Sequence, residues 1–386
     1  MPSSSQTMYD PSRHEPLVGN GWAEGSVRDA IALVCRDHED AFDPVSLWPL
    51  HPRDWEPGTS DVVRGLYLGA AGLVNGLARL ASAGMWEPGL DLAAVAAGLE
   101  PLEDEDGAGA SLLAGTSGIL LVARRADALA DAIASNASHP SNEVLLGSPG
   151  TMLAARAMWA HTGEERFAEL WRDSARILIE RMDADGLWEQ DLYGTRRRLL
   201  GAGHGFAGNM HVLRGGIEWL DDGPAVLAPA VATLRAFATV SDGCANWTPS
   251  TDERPGEVVR VQWCHGAPGV IVAFARIAPD DAELTALLSA GGELTWRAGP
   301  IVHNAGLCHG AAGNGFAFLA LFERTGDEVW LSRARAFAVH ALAQVERMRA
   351  ADGRGQYSLF TGGIGAALLA ASCITLDARF PGLDDL

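Results

Sequence analysis

The sequence predicts an all-α protein, an α/α toroid in which seven inner helices are ringed by seven outer ones. Three observations carry that expectation. First, Gly-x-x-Gly followed by an apolar run occurs seven times, at Gly69/Gly72, Gly115/Gly118, Gly147/Gly150, Gly205/Gly208, Gly266/Gly269, Gly310/Gly313 and Gly362/Gly365. A motif recurring every 30–60 residues or so is the signature of a repeat architecture. Second, the runs are rich in Ala and Leu, good helix formers, and are apolar on most faces, so their helices are expected to be buried. Third, polar, amphipathic stretches lie between them. Buried helices alternating with amphipathic ones give an inner ring wrapped by an outer ring.

Taken in order, residues 1–23 read as an extended lead and residues 24–386 as one toroid domain. The stretch 24–42, EGSVRDAIALVCRDHEDAF, reads as the first outer helix, and 46–60, SLWPLHPRDWEPGTS, as extended chain broken by Pro and Gly. The inner runs include GLVNGLARLA, GILLVARRADALA, GTMLAARAMWA, GVIVAFARIA, GFAFLALFERT and GAALLAASC. EERFAELWRDSARILIERM (164–182) and DEVWLSRARAFAVHALAQVERM (327–348) are the clearest outer helices. The acidic run 100–110, EPLEDEDGAGA, reads as a solvated loop. Glycine permits sharp turns and close backbone approach, so the seven glycine turns are expected to gather at one end of the ring.

The composition excludes several classes of function. The chain has 386 residues, 48% of them hydrophobic, enough for a large core. Its net charge of −20 gives no electrostatic footprint for nucleic acid and would repel anionic membranes. No run approaches the ~20 apolar residues of a membrane helix, and the first residues do not read as a signal peptide. Five cysteines, an odd and sparse set, fit a reducing cytoplasm better than a disulfide framework.

The chemistry is concentrated in the two residues preceding each Gly-x-x-Gly. In four repeats these are Tyr67-Leu68, Leu113-Ala114, Leu145-Leu146 and Phe360-Thr361; in three consecutive repeats they are Gly203-His204, Cys264-His265 and Cys308-His309. If the repeats are neighbours in a ring, these side chains converge at one mouth. Two thiolates and an imidazole suit zinc. Cys264, Cys308 and His309 would leave the fourth position open, as in a catalytic site; a closed, structural site would add His265 instead, and inert core cysteines are a further reading. An open site could ionise a substrate thiol for attack on an electron-poor alkene such as dehydroalanine. His204 could then protonate the resulting enolate, and Arg260 could hold its oxygen or merely form a surface ion pair. Arg196, Arg197 and Arg198, the densest cationic run, precede His204 and would either attract an anionic thiol or acidic peptide or form a solvated loop.

At these residues the chain resembles the lanthionine synthetase C-like family. The matching segments are LGAGHGFAG (200–208), RVQWCHGAPGV (260–270), GLCHGAAGNGFAFL (306–319) and SLFTGGIG (358–365). The resemblance implies a seven-plus-seven α/α toroid, one zinc held by Cys264, Cys308 and His309, His204 as the acid/base histidine, and Arg260 and Trp263 as further active-site positions. It also implies a departure. Where the bacterial cyclases carry an aspartate four residues before the second repeat's first glycine, this chain has Ser111, which bears on ring formation but leaves metal-assisted thiol addition intact. SLLAG-TSG and His265 are more similar to the eukaryotic branch, which resembles enzymes adding glutathione to dehydroamino acids.

The expected reaction is therefore addition of a peptide cysteine to dehydroalanine or dehydrobutyrine, giving a thioether. Glutathione addition to a dehydrated protein is an alternative, and a zinc-stabilised scaffold without turnover belongs to a different class. A separate dehydratase or kinase would supply the alkene. A sugar-cleaving toroid would need paired carboxylates at the mouth, and the two turn positions hold none.

Overall fold

The computed structural model describes residues 8–19, 21–56, 62–101, 109–192, 194–252 and 259–386. Fifteen α-helices are named among them. The inner set is α2 (Ala70–Ser82), α4 (Thr116–Val122), α6 (Ser148–Thr162), α8 (Phe206–Gly215), α11 (Ala267–Phe274), α13 (Ala311–Thr325) and α15 (Gly363–Thr375). Between them run α1 (Glu24–Asp40), α3 (Leu92–Gly98), α5 (Ala126–Asn136), α7 (Glu165–Glu180), the pair α9 (Gly223–Leu227) and α10 (Ala230–Ala236), α12 (Ala282–Ala298) and α14 (Glu328–Asp352). Pro224 sits in the first turn of the short α9 and Pro229 is the N-cap of α10, so this outer layer is made of two pieces. Each inner helix packs against the next, and α15 packs back on α2, so the inner ring closes. The fold is the α/α toroid expected, with seven inner helices and seven outer segments. Every residue of α11 is buried, whereas α7 buries one face through Phe167, Trp171, Ala175 and Leu178.

The first glycine of each motif is the N-cap of an inner helix. The second has a steric reason. A methyl group on Gly72, Gly118, Gly150, Gly208, Gly269 or Gly313 would overlap the carbonyl oxygen of the residue six positions earlier, and on Gly365 it would come within 3.2 Å of it. Each turn therefore folds back onto the helix it starts, which only a residue without Cβ allows.

These turns are stitched together around the mouth at the position two residues before the first glycine. Gly203 N–H donates to Cys264 O (3.4 Å), Cys264 N–H to Cys308 O (3.1 Å), Cys308 N–H to Phe360 O (2.9 Å), Phe360 N–H to Tyr67 O (3.2 Å) and Tyr67 N–H to Leu113 O (2.8 Å). The relay joins six turns into a belt of shared geometry.

Two short antiparallel hairpins were not expected. β1 (Gln190–Leu192) pairs with β2 (Thr195–Arg197), and β3 (Thr239–Ser241) with β4 (Cys244–Asn246). The second turns on Asp242 and Gly243, both with positive φ (50° and 73°), the conformation favoured by Asp-Gly in tight hairpins. Residues 8–19 contain a 3₁₀ turn, Pro11–Arg13, and an isolated bridge from His14 to Ile301, and are held to α14 through Glu15, whose carboxylate accepts from His340, Gln344 and Arg347 at 2.8–2.9 Å. Most of the expected acidic loop, 102–108, lies outside the described residues. No helix among those described is long and apolar enough to cross a membrane.

Candidate metal centre

The belt brings Cys264, Cys308 and His309 together: one ligand atom from each lies within 4.8 Å of the others. A tetrahedral ion with metal–sulfur bonds of ~2.3 Å needs ligands roughly 3.7 Å apart, so the three already stand near coordinating spacing. Both cysteines are buried, at 4% and 5% exposure, and His309 is half-buried on the open side. Gln262 Nε2 donates to Cys264 Sγ at 2.9 Å, and the Tyr67 hydroxyl is near enough to the Cys308 sulfur to favour its ionisation. Donors on sulfur favour thiolates, the form a metal requires. The Cys308 hydrogen bond holds the Cys264 thiol well below its usual range against the opposing effect of burial, with His309 helping. Giving that hydrogen bond, together with burial, pushes Cys308 well above. Metal binding requires both sulfurs as thiolates, so it would displace their protons. The donor set thus fits zinc.

His204 stands beside the two cysteines. The preceding residue, Gly203, meets the Cys264 backbone, and the His204 imidazole stacks on His265 at 5.4 Å and 19°. Its Nδ1 lies 3.1 Å from Glu143 Oε2. Burial alone would lower the His204 pKa, but the hydrogen bond and charge of Glu143, with the Cys264 sulfur adding, raise it above the ordinary value. Glu143 is itself fixed. It is fully buried, and its two oxygens accept the N–H groups of Leu145 (2.9 Å) and Leu146 (2.7 Å). At the third turn, then, a carboxylate takes up backbone N–H groups and receives the imidazole of the fourth.

A cleft of about 250 Å³ opens on His204 and His265, lined also by Arg260, Arg197, Thr195, Leu192, Leu199 and Pro249. Arg260 is near enough for its charge to oppose protonation of His204 and to favour ionisation of Cys308. Of the run Arg196, Arg197 and Arg198, at the end of β2 and just past it, only Arg197 lines this cleft. Arg196 pairs with Asp191 and Glu189, and Arg198 with Asp185 and Asp183.

Sequence comparison gives the site its context. The family described as Lanthionine synthetase C-like protein matches residues 65–384. The chain belongs to this lanthionine synthetase C-like family. It is 31% identical over 199 residues to LanC-like protein GCL1 of Arabidopsis thaliana, covering 50% of this chain and 44% of that protein. It is 33% identical over 156 residues to Glutathione S-transferase LANCL1 of Danio rerio, covering 39% and 36%. The chain thus spans less than half the length of these curated relatives. The solved structure of nisin cyclase superposes with a TM-score of 0.61 at 14% identity, covering 90% of this chain and 93% of that one, a likeness of fold.

The structure of this LanC-like chain places two further positions. Trp263 is 1% exposed, its indole stacked on Phe380 at 4.9 Å and tilted against Phe360 at 5.7 Å. Ser111 is buried with Oγ unpaired among the described residues. Glu143, a carboxylate at the mouth, lies four residues before the third repeat's first glycine, where one was expected before the second. Glu143, Tyr67 and Gln262 were all missed. The first was findable, because NEVLLGSPG is the one repeat with a carboxylate at that spacing.

Proposed function

We propose that this chain adds a thiol to the β-carbon of a dehydroalanine or dehydrobutyrine residue, forming a lanthionine-type thioether. The observation that carries the reading is the Glu143–His204 pair, with His204 adjoining Cys264 of the Cys264, Cys308 and His309 cluster. Cys264, Cys308 and His309 would hold zinc, which when bound would supply a Lewis acid that lowers the pKa of a substrate thiol. Gln262 and Tyr67 lie beside the two protein sulfurs. The substrate sulfur forms a bond to the β-carbon, and the alkene π pair moves onto the adjoining carbonyl as an enolate. Arg260, on the cleft wall, would offset that charge. His204, whose protonated form Glu143 favours, delivers the proton to the α-carbon, and the proton lost by the thiol restores the imidazolium.

With Glu143 in place, Ser111 no longer weighs against ring formation, so a peptide cysteine is the first choice of thiol. Glutathione is the second reading, favoured by Arg197 and Arg260 on the cleft and by the name of the Danio rerio relative. Either substrate would come from a separate dehydrating enzyme. The test offers a dehydroalanine peptide containing one cysteine, with and without glutathione. Loss of thiol-blocking reports ring closure, which leaves the mass unchanged; glutathione addition raises it. If neither product exceeds a zinc-stripped control over a range of peptides, the chain is a binding scaffold.

A further inference from the structure

We propose that the segment Phe380–Asp385 is an internal strut that sets the spacing of Cys264 and Cys308, with Phe380 and Asp384 as positioning residues; this builds on the zinc site of the proposed function. After α15 the chain turns back into the bore of the toroid. Phe380 is fully buried, stacked on Trp263 at 4.9 Å and 14° and packed edgewise on Phe316 at 5.3 Å. Trp263 immediately precedes Cys264. Its Nε1 has no partner among the described residues, so the indole is oriented by packing alone. Gly382, two residues on, faces the ring of Phe360, and a Cβ there would lie 3.1 Å from it. Phe360 in turn accepts the Cys308 N–H on its carbonyl oxygen and stacks at 4.9 Å on Tyr67. One short turn therefore supports both cysteines, Cys264 through Trp263 and Cys308 through Phe360.

The turn is anchored by charge. Asp384 Oδ2 accepts the Phe380 N–H at 2.8 Å, closing the turn on itself. The same carboxylate meets His211 (3.1 Å) and Arg214 (3.6 Å) on α8 and Arg276 (3.3 Å) just after α11. Asp385 pairs with Arg79 on α2. The anchors sit toward the C-terminal ends of inner helices whose N-terminal turns form the mouth. A general packing role would not require the ring contacts to fall on the neighbours of the two metal-site cysteines.

The test measures zinc affinity by competition with a chromophoric chelator, and the thiolate-to-metal absorption of the Co²⁺-substituted protein, in wild type, Phe380→Ala, Phe380→Leu and Asp384→Asn. Outer partners of metal ligands typically govern about ten- to a hundred-fold in affinity. The expected result is a loss in that range with a displaced Co²⁺ spectrum, helical circular dichroism retained, and recovery toward wild type in Asp384→Glu. Phe380→Leu nearly keeps the volume and loses the ring stack, so it carries the test if the alanine variant does not fold. Wild-type affinity and an unchanged Co²⁺ spectrum in folded variants, whatever their melting temperature, would overturn the strut, as would a wild type that takes up neither metal. A wild type that binds zinc yet makes no thioether removes the proposed function and leaves the strut standing.

Discussion

Replacing Glu143 with Gln tests the active-site chemistry most sharply, because it changes one charge and almost no volume. Glu143 accepts three hydrogen bonds, from Leu145 N–H, Leu146 N–H and His204 Nδ1. A carboxamide has one oxygen, so its NH₂ must face at least one of these donors. Leaving a buried donor unsatisfied costs about 1–3 kcal/mol, and the charge-assisted bond to the imidazole is itself worth about 1.5–3 kcal/mol. Losing that bond and its charge should move the protonation equilibrium of His204 toward the neutral ring, with burial then opposed only by the nearby Cys264 sulfur. The sign follows from linkage. With its folded-state pKa raised, His204 contributes stability that is complete below its unfolded value of about 6.5 and is lost as pH rises through the folded value. Catalysis by the imidazolium falls over the same alkaline window. The assay is the pH dependence of thioether formation, alongside thermal melts across that window. In Glu143→Gln the alkaline limb should move to lower pH and the melting temperature should fall at pH 6 more than at pH 9. An unmoved alkaline limb at unchanged zinc content would refute the assignment of His204 as the acid.

Cys308→Ala should reduce bound zinc to background, read by metal analysis of purified protein, while a metal-free, fully active wild type would end the mechanism. Gly269→Ala puts a methyl group into the Trp263 carbonyl and should destabilise by at least the ~1–3 kcal/mol of ordinary overpacking; Gly25→Ala, where nothing lies within 4 Å, should be neutral or slightly stabilising, and equal melting temperatures for the two would refute the steric account. Arg197→Glu should raise KM for an anionic thiol with little change in kcat, most at low salt, whereas Arg196→Glu, outside the cleft, should leave KM unchanged.

The toroid was legible because its repeat is written in glycines. The second glycine of each motif faces a backbone carbonyl, a requirement that recurs with the same spacing in every turn, so simple periodicity located all seven inner helices. The three metal-site residues were legible for the same reason, since equivalent sequence positions become neighbours in a closed ring. The hairpins were not, because three-residue strands carry no alternation to read and only Asp242-Gly243 signals a turn.

The missed residues share a cause in register and side-chain direction. Reading two positions per turn assumes that chemistry stays in those columns. Glu143 lies two residues further back, yet its side chain reaches forward to the N–H groups of Leu145 and Leu146, which fill those columns in its repeat. A carboxylate displaced along the sequence thus arrives at the mouth in space. Trp263 shows the converse: it adjoins Cys264 in sequence, but its ring packs onto Phe380. Tyr67 stands in the same column as both cysteines and was passed over because it is not a metal ligand, although its hydroxyl reaches the Cys308 sulfur. In a closed ring of turns the column gives the place of each backbone, and the length and rotamer of each side chain decide whether it reaches the metal site, supports it from beneath, or points away.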